Sequence, residues 1–373
     1  MDFTFIFFIG VLIVLGIISL TTTILKNQKN SSIDPLRLDK FCSRVNSWWA
    51  LFVFVAFAWY LSTGFVIFLF GAMSFWAMRE FITLIPTRQA DHRALFLLFF
   101  ICVPLQYIFV WLEWYDVYSV AIPSFIFLLI PIIIAMFGDT KFFLTRITQI
   151  SVSLLICVYS LSFAPALLTL KLPENSSSAK AGLLLFFLLM TQLSELFPFL
   201  TKAFFTNPHP IAPNVNTSKT WEGLCFGMFG TFFVGTLASP MTPFPAWADG
   251  LSAMLIALMA SGGSLTLSAI KRDRGVRDYG TLVVGHGGIL DRIDSICFAA
   301  PVFFQTSRIL LNFHDQLGGT GFNAWFYLRK RCVCVVEVRS PQNLLIYDAG
   351  SVLSSIPWLH LKIRINARFA RSP

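Results

Sequence analysis

The sequence predicts an all-α fold: a polytopic integral membrane bundle of about nine to ten transmembrane helices. Three observations carry this. The chain is 56% hydrophobic and only 13% charged over 373 residues, with 41 phenylalanines, against about 25% charged in an ordinary soluble domain. Its mean hydropathy of +0.72 leaves more apolar surface than one water-soluble core can hide. Apolar runs long enough to cross a hydrocarbon layer of about 30 Å recur along most of the chain.

Taken in order, the runs lie near 3–25, 47–78, 94–113, 118–138, 145–170, 182–201, 223–240, 247–270 and 293–313. The first lacks a positively charged leader segment and is read as a permanent membrane helix, not a cleaved signal. The second is too long for one span and carries Ser62-Thr63-Gly64 at its middle, so it is read as two short helices joined by a tight turn. After about residue 313 the character changes. Residues 314–373 contain no 20-residue apolar span and end in Lys362, Arg364, Arg368 and Arg371. The expected organisation is therefore a membrane-embedded part, 1–313, followed by a C-terminal appendage, 314–373.

Lysines and arginines set the expected orientation, because cytoplasmic loops are enriched in them. Residues 26–44, 79–93, 141–146, 202–219 and 271–292 are basic, whereas 113–117 and 240–250 carry only acids. This places the basic loops in the cytoplasm and the N-terminus outside. The seven cysteines are scattered, several within apolar runs, and read as small buried hydrophobes. The net charge of +9 suits basic cytoplasmic loops and equally an anionic lipid or nucleotide substrate.

Polarity concentrates in two places. Residues 268–295, "SAIKRDRGVRDYGTLVVGHGGILDRIDS", hold nine of the chain's 47 charged side chains, five glycines and one of five histidines. Ser264, Ser268 and Lys271 fall at i, i+4 and i+7, one stripe at the end of an apolar helix. Arg272, Arg274 and Arg277 follow, a patch able to hold phosphates or simply a positive-inside flank. Asp278, Asp291 and Asp294 are hard oxygen donors suited to Mg²⁺ that bridges phosphates. Asp291 and Asp294 also stand where carboxylates cap a helix and complement its dipole, and both readings stay open. Gly285, Gly287 and Gly288 around His286 supply backbone that a phosphate can approach closely. The second block is 207–223, "NPHPIAPNVNTSKTWEG". Its three prolines forbid helix, Ser218 or Thr220 can cap the following helix, and Trp221 suits a membrane interface. Lys219 and Glu222 lie near that helix's cytoplasmic end.

"SAIKR" (Ser268 to Arg272), Asp278 and "GHGGILDRID" (Gly285 to Asp294), preceded by "SKTWEG" (Ser218 to Gly223), resemble the signature of the phosphatidate cytidylyltransferase family, also called CDP-diacylglycerol synthases. The resemblance covers about residues 1–313. It implies a multi-helix membrane enzyme that makes CDP-diacylglycerol and pyrophosphate from CTP and phosphatidic acid, with its active site facing the cytoplasm. The implied cofactor is Mg²⁺, with a second cation admissible. Asp291 is then the leading metal ligand and Asp278 a second. Lys219, Glu222, Lys271, His286 and Asp294 join them as catalytic candidates. Ser218, Ser268, Arg272, Arg277, Gly287, Gly288 and Arg292 are the candidates for substrate binding. Membrane lipids are further expected partners, nucleic acid is not, and a homodimer is one assembly open to it. Compact loops point to a bacterial inner membrane.

The chain departs from the family's pattern at several positions. Ser264 follows Gly263 where the family has a metal-binding aspartate, Arg277 replaces a lysine, and Val284 a proline. Glu195 stands for the aspartate of an Asn-Asp pair, and Thr201 for a glycine. These departures motivate an alternative, a member with weak or no catalysis acting as a membrane binding or assembly protein. A transporter is the other class considered. Its substrate sites usually lie near the bilayer midplane, whereas the charges here gather in two cytoplasmic blocks.

Overall fold

The structure is a computed structural model that describes residues 62–316, apart from Ala90, 137–139, 173–176, 205–208, Arg277 and 281–287, together with a few isolated positions before residue 50. Beside one short 3-10 turn (Ser239–Met241), eight longer helices and one hairpin make up the described part of 62–316. They are α1 (Thr63–Thr83), α2 (Asp91–Trp111), α3 (Tyr115–Met136), α4 (Phe143–Thr169), α5 (Ser177–Phe204), β1 (Pro210–Ala212), β2 (Asn216–Thr220), α6 (Trp221–Leu237), α7 (Ala246–Asp273) and α8 (Leu290–Gln316). The fold is thus mostly helical, as expected, with one small exception. The proline-rich block forms an antiparallel two-stranded hairpin, Pro210 facing Thr220 and Ala212 facing Asn216. Pro210 and Pro213 lack the N–H a helix needs, and a short extended pair joined by a turn satisfies the remaining amides.

Six helices among the described residues are long and apolar enough to cross a membrane: α1 to α4, the Ala179–Pro198 part of α5, and α7. The expected nine to ten is not reached there. The helix in the 223–240 run, α6, ends after 17 residues. The one in the 293–313 run, α8, begins at Leu290 and so takes in Asp291, Arg292 and Asp294. The first run and most of 47–61 lie outside the described residues. The expected break at 62–64 is present, since Ser62 is extended (φ −65°, ψ 151°) before α1. The helix that follows is not short; it runs 21 residues to Thr83. Helix α8 likewise passes the expected boundary at 313 to reach Gln316, and the rest of the expected appendage, 317–373, lies outside the described residues.

Helices α5, α6, α7 and α8 pack as one group. Small residues allow close approach: a Cβ on Gly235 would lie 2.6 Å from the Ala253 Cβ, and one on Gly263 would lie 2.7 Å from the Phe298 ring. Ring pairs, Phe187 stacked on Phe303 at 5.5 Å and Phe163 tilted against Phe304 at 5.2 Å, fix α8 against α5 and α4. On the other side, α2 and α4 are joined through a fully buried ion pair. Arg146 NH2 lies 2.6 Å from Asp91 Oδ1 and its Nε is 3.0 Å from both carboxylate oxygens. The sequence placed Arg146 in a basic loop; it is instead 3% exposed.

Candidate functional site

Helix α7 ends in a glycine reversal that sets the site. Gly275 takes φ +69°, which a side-chain-bearing residue adopts with difficulty. Its amide donates to Arg272 O and the Val276 amide to Lys271 O, the paired closure of a Schellman end. The chain folds back so that Tyr279 lies beneath the helix it has just left. Its hydroxyl donates to Leu267 O at 3.0 Å, its ring stacks on Phe81 of α1, and Lys271 Nζ sits 5.5 Å from the ring centre. Burial pushes the Tyr279 phenol well above its ordinary range, so it stays a neutral donor.

Asp291, in the first turn of α8, ties these pieces together. Its Oδ1 accepts from Lys271 Nζ at 2.7 Å, and its Oδ2 accepts from the Tyr279 amide at 2.9 Å and the Gly288 amide at 3.1 Å. The ion pair is mostly shielded, with side chains 16% and 12% exposed. Three donors hold the carboxylate in one orientation.

Glu80, which sequence reasoning passed over, completes the anchor. It is 5% exposed, and its oxygens accept from the Ile289 amide at 3.0 Å and the Leu290 amide at 2.9 Å. These are among the first amides of α8, which have no partner within the helix and attract negative charge. The fit depends on glycine: a Cβ on Gly288 would lie 2.4 Å from Glu80 Oε2, and one on Gly280 3.0 Å from Oε1. The capping open to Asp291 and Asp294 is therefore corrected at these two amides, where a carboxylate from α1 does the capping. The signal was present in the sequence. Glu80 is the sole acid in α1, and a carboxylate within an apolar helix needs a partner.

A second cation–carboxylate pair lies one turn along α8. Lys219, at the end of β2 and 9% exposed, donates to Glu195 of α5 at 2.8 and 2.9 Å. Ser295 Oγ is 2.9 Å from Glu195 Oε1 and 3.1 Å from Asp294 Oδ1. A hydroxyl has one proton to give, so it serves one of these two carboxyls at a time. Asp294 also accepts from the Ser295 amide at 2.6 Å. Asp291 thus reaches Lys271 directly, whereas Asp294 stands beside the Lys219–Glu195 pair through Ser295.

The hairpin closes over the end of α7. Asn216 Nδ2 donates to Ser268 Oγ at 3.3 Å, Arg272 Nε donates to Val215 O at 3.3 Å, and Ser268 Oγ donates to Ser264 O at 2.7 Å. The capping choice falls to Thr220, whose Oγ1 accepts from the Gly223 amide. Ser218 is exposed, with its amide donating to Asn216 Oδ1. Glu222 is taken up by His209, accepting from its amide at 3.0 and 3.1 Å with Nδ1 at 2.6 Å. The His209 hydrogen bond holds the Glu222 carboxyl below its ordinary range. Asp278 and Arg272 are exposed, Arg292 is half-buried and Gly288 buried. The candidates Arg277, His286 and Gly287 lie outside the described residues.

Among the described residues no group of three or more His, Cys, Asp and Glu side chains stands ready to hold a metal ion. The donor chemistry nonetheless fits Mg²⁺, which usually takes only one or two carboxylates and completes its shell with substrate phosphates and water. The amide of Tyr279, the residue after Asp278, donates to Asp291, and both aspartates are hard oxygen donors.

The sequence profile of the cytidylyltransferase family matches residues 42–310. A protein of Escherichia coli K12 that bears the name "Uncharacterized protein YnbB" is 32% identical over 269 residues, covering 71% of this chain and 86% of that protein. The phosphatidate cytidylyltransferase of Synechocystis is 41% identical over 100 residues, 26% of this chain and 34% of that enzyme. That of Mycobacterium leprae is 34% identical over 106 residues, 27% of this chain and 33% of its own. The chain thus spans about a third of the length of these two enzymes. With the matched region covering both polar blocks and all eight described helices except the end of α8, the chain belongs to the cytidylyltransferase family.

Proposed function

We propose that this protein transfers the cytidylyl group of CTP to phosphatidic acid at the cytoplasmic face of a membrane, releasing CDP-diacylglycerol and pyrophosphate. The observation that carries the reading is the knot formed by Asp291, Lys271, Tyr279 and Glu80, which fixes a carboxylate and an ammonium side by side at the ends of two packed helices. Kinship with named phosphatidate cytidylyltransferases and six helices apolar enough to cross a membrane support it. So does an apolar cavity of about 750 Å³ between α1 and α2, whose lining includes Ile289, the neighbour of Gly288; it offers a lipid tail a place beside the site.

In this reading a lipid phosphate oxygen attacks the α-phosphorus of CTP. The bond from that phosphorus to the bridging oxygen breaks, and pyrophosphate leaves with the electron pair. Such transfers depend on positioning and charge neutralisation. Lys271 gives one of its three N–H donors to Asp291, which aims the ammonium and leaves two for phosphate oxygens. Lys219 is held in the same way by Glu195. Arg272 and Arg292 add guanidinium donors that match phosphate geometry. Asp291 and Asp278 would hold Mg²⁺, which when bound neutralises charge on the triphosphate. Ser268 and Asn216 fix the hairpin that carries Lys219.

Purified protein incubated with labelled CTP, phosphatidic acid and Mg²⁺ should yield a lipid-soluble cytidine product and one pyrophosphate per turnover. Product formation with diacylglycerol but not with phosphatidic acid would contradict the assignment.

A further inference from the structure

A second cavity of about 440 Å³ opens between the C-terminal ends of α1 and α7 and the N-terminal end of α4. Phe81, Ile270 and Tyr279 give it apolar and aromatic walls, and Thr148, Gln149 and Arg274 supply polar groups. Gln149 Oε1 is buried there and accepts no hydrogen bond, and an unsatisfied buried amide oxygen has a free-energy cost that a bound donor removes. An apolar pocket with a few convergent polar groups is the usual form of a small-molecule site.

The cavity shares a wall with the phosphate-handling residues. Tyr279 lines it, and the same residue gives its amide to Asp291 and its ring face to Lys271. Ile270 and Arg274 bracket Lys271 along the end of α7. A ligand here therefore has aromatic side chains to pack against, a carboxamide to pair with, and at its edge the Arg274 guanidinium, which pairs with Asp273 of the same wall at 3.4 Å.

We infer that this cavity holds the pyrimidine base of the nucleotide, with Gln149 pairing to the base edge and the triphosphate running past Arg274 toward Lys271. This rests on the cytidylyltransferase reading and extends it to Thr148 and Gln149 of α4, which neither polar block contains. The exocyclic amine of cytosine supplies the donor that Gln149 Oε1 lacks, and the ring nitrogen beside it matches the donor half of the same carboxamide. Of the parts of CTP, the base is the uncharged, planar one with faces that stack on aromatic rings, and it suits a cavity walled by Phe81, Ile270 and Tyr279.

The test uses full-length protein and two variants, Gln149→Leu, which removes the pairing group, and Thr148→Trp, which fills the rim. CTP binding is expected to weaken about tenfold or more in each, the scale of one lost buried pairing. Inorganic tripolyphosphate, which has no base, should bind all three proteins alike, and KM for phosphatidic acid should not change. CTP affinity unchanged in both variants would overturn the assignment. A rise in KM for phosphatidic acid alone would overturn it in favour of a lipid headgroup, and a parallel loss of tripolyphosphate binding would overturn it in favour of the phosphates. If the unmodified protein neither binds nor consumes CTP, the reading of the whole site falls and this assignment with it. That result differs from CTP binding that ignores both variants, which removes the base pocket alone.

Discussion

At Asp291 one carboxylate receives an ammonium and two amides from three segments of chain, and Glu80 holds the next two amides. Glu80→Gln keeps the shape but puts an NH₂ group against an amide donor. Leaving a buried donor unpaired costs about 1–3 kcal/mol, so the thermal midpoint should fall. Turnover should fall with it while KM for CTP changes little, because Glu80 positions Asp291 and touches no substrate in this account. A midpoint equal to that of the unmodified protein would show that the contact is not formed. Ser264 lies 8% exposed on α7, one turn before Ser268. If it stands in for a metal-binding aspartate, Ser264→Asp adds a charged ligand and should lower the Mg²⁺ needed for half-maximal turnover by roughly tenfold. A Mg²⁺ titration that does not move would place Ser264 outside the metal site. Asp291, Lys271 and Lys219 were legible as candidates because charge is rare in this chain. Glu80 was not, because its partners are backbone amides some 200 residues away, which no local pattern encodes.

Elements were legible where apolar length decides them. The runs at 94–113, 118–138, 145–170 and 247–270 correspond to α2, α3, α4 and α7 within a few residues, since hydrocarbon thickness sets helix length. The hairpin was read only as a non-helical turn, because prolines exclude helix without saying which extended partner forms. Arg146 was read as loop because positive-inside counting treats every arginine alike, whereas its guanidinium is buried against Asp91. That pair locks the N-terminal ends of α2 and α4 together. Arg146→Leu leaves Asp91 as an uncompensated buried charge and should destabilise the protein by about 3–5 kcal/mol. Chemical or thermal unfolding of the purified variant checks this, and Asp91→Asn in the same background should recover part of the loss. No recovery would mean that Arg146 acts through packing alone.

Over the whole molecule, the ends of α1 and α7 and the starts of α4 and α8 meet at one level, and the charged side chains meet with them. Six of the eight described helices are long and apolar enough to cross a membrane, and the shorter α6 and the more charged α8 pack in the bundle beside them. Both polar blocks carry basic residues, and the proposed orientation, drawn from the positive-inside rule, has this level facing the cytoplasm. A cysteine placed at exposed Asp273 should react with a membrane-impermeant thiol reagent in inside-out vesicles and stay unlabelled in intact cells. The reverse pattern would invert the topology and place the site away from cytoplasmic CTP.

In the proposed reaction Asp291 serves the cytidylyl transfer. The direct measurement is pyrophosphate release from CTP and phosphatidic acid in Mg²⁺ by the unmodified protein and by Asp291→Asn. The account predicts steady release by the first and a loss of about a hundredfold or more in the second, the scale of a missing electrostatic group at a reacting phosphate. Equal release by both proteins, with the variant folded, would contradict it.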